Sequence, residues 1–512
     1  MRNLIVCCDG TWNTPDQKHD GVPTPTNVVR LFNSVAGKDG KGRPQVKYYH
    51  PGVGTEGNWW DKIAGGAAGV GLSKNVMSAY KWLAVHYQPG DRIFMFGFSR
   101  GAYTVRAAAG MMGRCGLLML ADLSDDEVWK RVDKAYKQGY RGRQPRKKWA
   151  GKWEFHGTGS PKSVGIHFLG VWDTVGALGI PNDMAILNLL DNTKAYAFFD
   201  TTLGDGVVNA RHAVALDEMR ASFAPTLWDV KAGRKGLKQI WFPGVHSDVG
   251  GGYPETGLSD GALEWMMDEA RACGLAFHKG MSGQVKPDSL GTLHDSRAGL
   301  FELMRSLPRS VPLIAKSNTG KLLHRSVMER HDNPPITQGP YRPTRVLDTG
   351  ESVEIPIFAA QPWNETGLYL EAGAKYRFEA SGQWLDRSIP CSPEGPEKGD
   401  FRVGEIVHLA GKAWGKLEKM WKKLTKNEEA DFRGSRRLED YEWFYLVGSI
   451  ANGGPPPNSG KSTTGTHEQF GIGKEHEKQI KNPGYLYCFA NDAWGFYGNN
   501  RGSVTLRVER IA

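Results

Sequence analysis

The sequence predicts an α/β protein, a mostly parallel sheet with helices on both faces, followed by an all-β sandwich. Three observations carry that expectation. Apolar strands alternate with amphipathic helices through the first half of the 512 residues. A Pro-rich stretch, Asn333-Pro334-Pro335-Ile336-Thr337-Gln338-Gly339-Pro340-Tyr341-Arg342-Pro343, then breaks the pattern. Beyond it the texture changes to short strands separated by turns.

In chain order, the strands expected of the first sheet are Asn3–Asp9, Val46–His50, Arg92–Phe98, Val164–Asp173 and Lys238–Val245. Helical patterns lie between or after them, near Asn27–Val35, Lys74–Tyr87, Gly101–Cys115, Ser124–Lys137, Ala210–Ser222 and Gly261–Cys273. Long apolar strands alternating with helices argue for a sheet buried on both sides. In the second half the strands expected are Glu354–Phe358, Gly367–Leu370, Tyr376–Ala380, Trp443–Val447, Gly484–Phe489 and Ser503–Val508. The boundaries that follow are 1–345 for the first domain and 346–512 for the second. Residues 119–163 are a candidate lid or cap insertion in the first, and a basic helix near 405–427 interrupts the second.

Composition narrows the class. The formal charge of +10 favours an anionic partner such as phosphate or acidic lipid, unless the excess cations are merely solvated. Nucleic acid is not expected, because the basic segments carry no recognised binding motif. Six cysteines, Cys7, Cys8, Cys115, Cys273, Cys391 and Cys488, lack metal-ligand or C-x-x-C spacing and read as free thiols. The first apolar stretch is too short for a signal peptide, and no run approaches the ~18 apolar residues of a membrane span.

Gly97-Phe98-Ser99-Arg100-Gly101 is the segment with the most chemistry in it. It follows the apolar run Arg92–Phe96 and precedes a helical pattern, the strand-turn-helix setting in which Gly-x-Ser-x-Gly exposes a nucleophilic serine. A serine hydroxyl needs a histidine to take its proton, and that imidazole needs a carboxylate to fix its tautomer. In α/β-hydrolases these follow in the order Ser, acid, His, each at a strand's C-terminal end. Asp173 and His246 meet both conditions. Taken singly, Asp173 reads first as a helix N-cap and His246 as a loop histidine bonded to backbone; their order and places at two strand ends shift the reading to a triad. Asp248 is an alternative or supporting carboxylate, His324 an alternative base, and His167 a core residue. The oxyanion requires donors, for which the backbone N–H of Arg100 is one candidate. Gly10 or Thr11, in the turn after the first strand, is a candidate for the second, unless that turn is an ordinary one capped by Asp9.

Several segments together resemble a known family. Cys8-Asp9-Gly10-Thr11-Trp12-Asn13, Gly97–Tyr103, Gly170-Val171-Trp172-Asp173-Thr174-Val175-Gly176 and Gly244–Tyr253 are similar to the bacterial α/β-hydrolase family of type VI secretion lipase effectors, as are Arg211-His212-Ala213 and Asp217-Glu218-Met219-Arg220. The resemblance covers residues 1–345. It implies a serine esterase, a phospholipase acting on membrane glycerophospholipids, with Ser99 as nucleophile, His246 as base, Asp173 as acid and no cofactor required for catalysis. It also implies synthesis in a bacterial cytoplasm, export without a cleaved signal, and action at a target-cell membrane. A secretion-apparatus component and an immunity protein are the partners expected.

The second domain resembles a small bacterial galactose-binding lectin through Asn491–Ser503, Trp363–Leu368 and Gly382-Gln383-Trp384. Asp492, Asn499 and Asn500 group oxygen donors of the kind Ca²⁺ takes. Glycan and calcium are therefore expected ligands. Phe496 departs from the lectin pattern, as does the inserted helix with Trp414, Leu417, Trp421 and Leu424 on one face and lysines elsewhere. That face suits either an anionic membrane interface or simple packing. Two further readings remain from the sequence: a glycan-binding adhesin with a dispensable hydrolase domain, and an esterase for a non-lipid acyl ester.

Overall fold

β1 (Asn3–Cys8) is buried along its whole length and pairs in parallel on both sides. The computed structural model describes all residues except 11–17, 20, 53–66, 158–163, 176–201, 230–233, 298–305, 397–435 and 454–465. After β1 come a small ribbon of β2 (Lys18–His19) and β3 (Val22–Pro23), then α1 (Asn27–Ser34), β4 (Gln45–His50), α2 (Ala67–His86) and β5 (Arg92–Phe98). Next are α3 (Arg100–Cys115), α4 (Asp125–Lys134), α5 (Arg146–Trp149), β6 (Ile166–Trp172), β7 (Val207–Ala215) and β8 (Leu237–Phe242). Six strands form one sheet in the order β4-β1-β5-β6-β7-β8, every pair parallel. The chain reverses its direction of travel across the sheet between β1 and β5. In open α/β sheets the crevice at such a reversal, at the strands' C-terminal ends, is where ligands bind.

Helices cover both faces. One core contains Leu4, Val6, Met95, Ala108, Met111 and Leu169; the other contains Ile5, Phe94, Phe96, Phe168, Trp172 and Met266. Period-two alternation along β1 and β5 assigns neighbouring residues to opposite faces, so both sides must be covered. The caps fit their helices. Thr26 accepts Val29 N–H at the start of α1, and Ser124 begins α4 above three acidic residues, Asp125, Asp126 and Glu127, which complement the helix dipole.

One expected element is wrong. Ala210–Ser222 is not a helix: Val207–Ala215 is β7, and only Ala221–Phe223 forms a short 3₁₀ turn. The alanines suggest a helix by propensity, but here they lie between β6 and β8, buried from Ala210 to Ala215. Pairing on both edges outweighs an intrinsic preference of under about 1 kcal/mol per residue. Residues 119–157 pack against α3: Leu120, Val128, Val132, Tyr136 and Trp149 belong to the same core as Met111 and Cys115. Between α4 and α5 the chain forms a π-helical turn, Ala135–Arg141.

The remaining α-helices among the described residues of this unit are α6 (His246–Gly250), α7 (Gly257–Ala272) and α8 (Arg325–Asp332). The chain divides into two compact units, one mainly Met1–Phe301 with Ala315–Tyr341, the other Glu302–Ile314, Arg342–Asn458 and Thr463–Ala512. A segment before residue 315 thus belongs with the second unit.

The second unit is antiparallel. One sheet has the order Asn364–Leu370, Gly484–Ala490, Leu446–Ala451, Glu468–Gly471. The other is built around the long strand Asn500–Arg510, which pairs with Ser352–Phe358, Lys375–Ser381 and Trp384–Asp386. Side chains of both sheets, among them Leu370, Ile450 and Leu486 with Tyr376, Phe378 and Leu506, share one core. The basic helix expected near 405–427 lies outside the described residues. All six cysteines are free, five buried and Cys273 partly so. Among the described residues no helix is long and apolar enough to cross a membrane.

Gly170, in the middle of β6, tests the packing of α7 on the sheet. A Cβ there would come within 2.6 Å of Met266 Sδ and 2.9 Å of Phe96 Cδ1. Gly170→Ala is expected to cost about 1–3 kcal/mol through overpacking. The denaturant midpoint should fall with the slope unchanged.

Candidate active site

Ser99 stands where β5 ends and α3 begins, with φ 57° and ψ −123°. That is a costly backbone for a residue with a Cβ, and such positions persist only where surroundings over-determine them. Here two glycines do so. A Cβ on Gly97 would lie 2.5 Å from Gly101 O, and one on Gly101 would lie 2.1 Å from Cys8 O. The turn is therefore closed against β1, and the Ser99 amide is held by Trp172 O at 3.2 Å on the neighbouring strand. The Ser99 side chain makes no capping bond to α3, which leaves its hydroxyl available at the helix N-terminus.

Asp173 follows β6, also at positive φ, 34°. Its N–H donates to Ala213 O at 2.7 Å, and its Oδ1 accepts Ala215 N–H at 3.0 Å, so β7 orients the carboxylate. Its Oδ2 meets His246 Nδ1 at 2.6 Å. His246 opens α6, just beyond β8. Both residues are buried. The carboxylate places the ring proton on Nδ1 and leaves Nε2 as the basic nitrogen. The His246 ring packs on Phe98, centroids 4.5 Å apart, and on Phe223 at 4.9 Å. Phe98 is the residue before Ser99, so the structure brings the three residues expected from the sequence to one edge of the sheet. No hydrogen bond joins Ser99 Oγ to the His246 ring; such bonds are often long until substrate is bound.

Burial holds the His246 pKa below the ordinary 6.5, against the opposing hydrogen bond and charge of Asp173. The ring is neutral at pH 7 and fit to accept a proton. Glu218, fully buried, accepts His246 N–H at 3.2 Å and Ser296 Oγ–H at 2.8 Å. Arg220 grips the same carboxylate with Nε and Nη2, at 2.9 and 2.8 Å, and its guanidinium lies 3.6 Å over Phe223. A bidentate pair of this kind is strong and directional. Beneath the other arm, His212 Nε2 accepts Thr174 N–H at 3.1 Å.

The alternatives fall elsewhere. Asp248 faces His294 Nδ1 at 2.6 Å and Val245 N–H at 3.1 Å, not the His246 ring. His324 caps α8 through Ser326 and stacks on Phe242 at 4.5 Å; burial, then Arg325, lowers its pKa to about 4. His167 is half-buried, its Nε2 2.9 Å from Cys273 O. Of the oxyanion candidates, Arg100 begins α3. Gly10 N–H is engaged by Asp9 Oδ1 at 2.7 Å, while Thr26 and Tyr49 hydroxyls hold Asp9 Oδ2 at 2.7 and 2.9 Å. Gly10 is thus committed to its own turn, and Thr11 lies outside the described residues. Sequence reasoning gave no role to Glu218 or Arg220 and missed His294 and Ser296; no local pattern marks the last two.

The oxygens proposed for calcium are hydrogen-bonded to one another and to their neighbours. Asp492 Oδ1 accepts Ala493 N–H at 2.7 Å and Oδ2 accepts Asn500 Nδ2 at 2.8 Å. With its amide turned to satisfy its neighbours, Asn499 donates to Asn500 Oδ1 and accepts Arg387 Nε, each at 3.2 Å. One carboxylate and two amides thus lie within hydrogen-bonding reach of one another, and a Ca²⁺ site there would draw its remaining oxygens from backbone carbonyls and water. Among the described residues no group of three or more His, Cys, Asp or Glu is placed to hold a metal.

The family described as "T6SS, Phospholipase effector Tle1-like, catalytic domain" matches residues 2–269. An uncharacterized protein of Saccharomyces cerevisiae is 31% identical over 240 residues, 43% of this chain and 32% of that protein. Among solved structures, the Tle1 effector bound to the VgrG spike from the type 6 secretion system is similar over 50% of this chain and 52% of its own. Its identity is 19% and the TM-score 0.31. The EclA N-terminal domain, a PllA-like lectin, is similar over 31% of this chain and 94% of its own, at 16% identity and a TM-score of 0.18. The chain spans about a third of the yeast relative's length and about half of the effector's.

The ring of His246 gives a direct test of its environment. Its midpoint, followed by NMR, is expected below 6.5, and Asp173→Asn should lower it further, because the lost carboxylate is what raises it.

Proposed function

The chain belongs to the family of type VI secretion phospholipase effectors with a Tle1-like catalytic domain, and from that premise we propose that it is a serine esterase cleaving acyl esters of membrane glycerophospholipids. Ser99, His246 and Asp173 form its triad, on an α/β-hydrolase fold within residues 1–345. The observation that carries this reading is the 2.6 Å bond between His246 Nδ1 and Asp173, beside a serine on a strained strand-helix turn.

His246 Nε2 takes the proton as Ser99 Oγ attacks the ester carbonyl carbon. Asp173 stabilises the imidazolium that forms. The oxyanion is received by Arg100 N–H at the N-terminus of α3, where the helix dipole favours negative charge. A second donor from the turn after β1, at Thr11, completes the hole. When the tetrahedral intermediate collapses, the C–O bond to the lysolipid breaks, and His246 returns its proton to the departing alcohol. Water, activated by the same histidine, then releases the fatty acid from Ser99.

The residues 346–512 form a lectin-like module that docks the enzyme to a glycan. A component of the secretion apparatus carries the protein out of the cytoplasm in which it is made. It acts at the membrane of the target cell, and an immunity protein guards the producer.

Ser99→Ala is expected to reduce fatty-acid release from phosphatidylethanolamine and phosphatidylglycerol vesicles by about 10³-fold or more. A fluorophosphonate should label the wild-type protein at Ser99 alone. Labelling at another residue, or full release by the variant, rules the mechanism out. Labelling at Ser99 without release from either lipid would leave a serine esterase with a different acyl substrate.

A further inference from the structure

A second histidine–aspartate contact lies behind the first, and the chemistry above does not use it. His294 Nδ1 is 2.6 Å from Asp248 Oδ1, and His294 N–H reaches Asp248 Oδ2 at 3.2 Å. Asp248 is almost fully buried, at 2% exposure. Its Oδ2 also accepts Val245 N–H at 3.1 Å, the residue before His246. With Glu218 on His246 N–H, two buried carboxylates take the free donors at the start of α6 and tie both to residues 294–296. The approach is tight: a Cβ on Gly244 would lie 2.3 Å from Asp248 Cβ. A five-residue helix has little stability of its own, so its position is set by these ties.

We propose that Asp248 and His294 are a positioning pair for the base: they hold the turn carrying His246 where Nδ1 meets Asp173, and they hold it less firmly once His294 loses its charge. The proposal rests on the triad reading above. Its physical ground is that a carboxylate as buried as Asp248 requires a cation or a full set of donors. Val245 N–H, His294 N–H and His294 Nδ1 are the donors, and His294 adds a positive charge while protonated.

The groups facing His294 favour its charged form. Asp248 approaches from α6. From the loop before α7, Glu255 Oε2 lies 3.3 Å from Nε2, and the Tyr253 ring stacks on the imidazole with centroids 3.8 Å apart. On its own loop Asp295 pairs with Arg297 at 3.7 Å. Burial alone would lower the His294 pKa, but Asp248, then Glu255, raise it above the ordinary 6.5. A raised value means that the charge in the brace is fully present below pH 6.5 and is lost as pH rises through the folded-state value, while the backbone N–H bonds to Asp248 stay. His246 is shifted the other way, so the base is neutral while the brace is charged.

The test is the pH dependence of kcat and KM on micellar phospholipid for wild type, His294→Ala and His294→Gln, with fluorophosphonate labelling of each. His294→Ala should lower kcat about 10–100-fold, as expected when a base is displaced by about 1 Å. KM should stay within about twofold, the alkaline limb should vanish, and added imidazole should restore part of the rate. Glutamine offers a donor to Asp248 but does not titrate, so His294→Gln should lose less kcat and still lack the alkaline limb. If the alanine variant does not fold, the glutamine variant decides the same point. Wild-type kcat with an unchanged alkaline limb in either variant overturns the proposal, as does a lower melting temperature with kcat per folded molecule unchanged. Labelling at Ser99 in all three proteins keeps those failures separate from failure of the triad. Activity that survives Ser99→Ala overturns the triad and the pair together.

Discussion

The packing of Gly101 on the carbonyl of Cys8 is the constraint from which the site is built. With no room for a Cβ, α3 starts directly against β1, and the chain leaving β5 must turn through a backbone that serine tolerates poorly. The turn is stable because the sheet beneath it is: β1 and β5 are buried on both faces and paired on both edges. The stiffness of a large core thus fixes one hydroxyl at a helix N-terminus. Asp173 uses the same principle one strand over, its own positive φ secured by two bonds to β7.

His246 is held in a different way. Ser99 and Asp173 sit directly on strand ends, whereas His246 rides on a short helix whose register comes from side chains. Glu218 and Asp248 do for α6 what the sheet does for the other two residues. Arg220 pairs with the first carboxylate in a buried ion pair, and the half-buried His294 meets the second at 2.6 Å. Such pairs add little net stability but are demanding about geometry. They suit a place where position matters more than affinity between the parts.

What the sequence made legible follows from how local each requirement is. The turn at Ser99 needs glycines two residues away on either side, so it shows in five letters. Asp173 and His246 could be found because strand ends are visible as apolar runs stopping at a polar residue. Glu218 and His294 could not be found that way, since their partners are 28 and 46 residues distant and no periodicity marks them. β7 was misread because alanine-rich strands occur where sheet neighbours leave room for little else. Gly10 was offered as an oxyanion donor on its flexibility, but whether an N–H is free depends on Asp9, whose carboxylate turns back on it.

The path of the chain through its two units has an evolutionary consequence. The stretch leading to Ile314 is bound into the β unit: His467 Nε2 meets Pro308 O, Trp363 Nε1 donates to Ser306 O, and Ile314 N–H donates to Tyr485 OH. The chain then returns for α8 and leaves again after Tyr341. A recombination at the Pro-rich segment would therefore exchange most of one unit while stranding a strip of it in the other. The two halves are inherited most safely as a pair, and a new C-terminal module would have to arrive already complementary to residues 306–314.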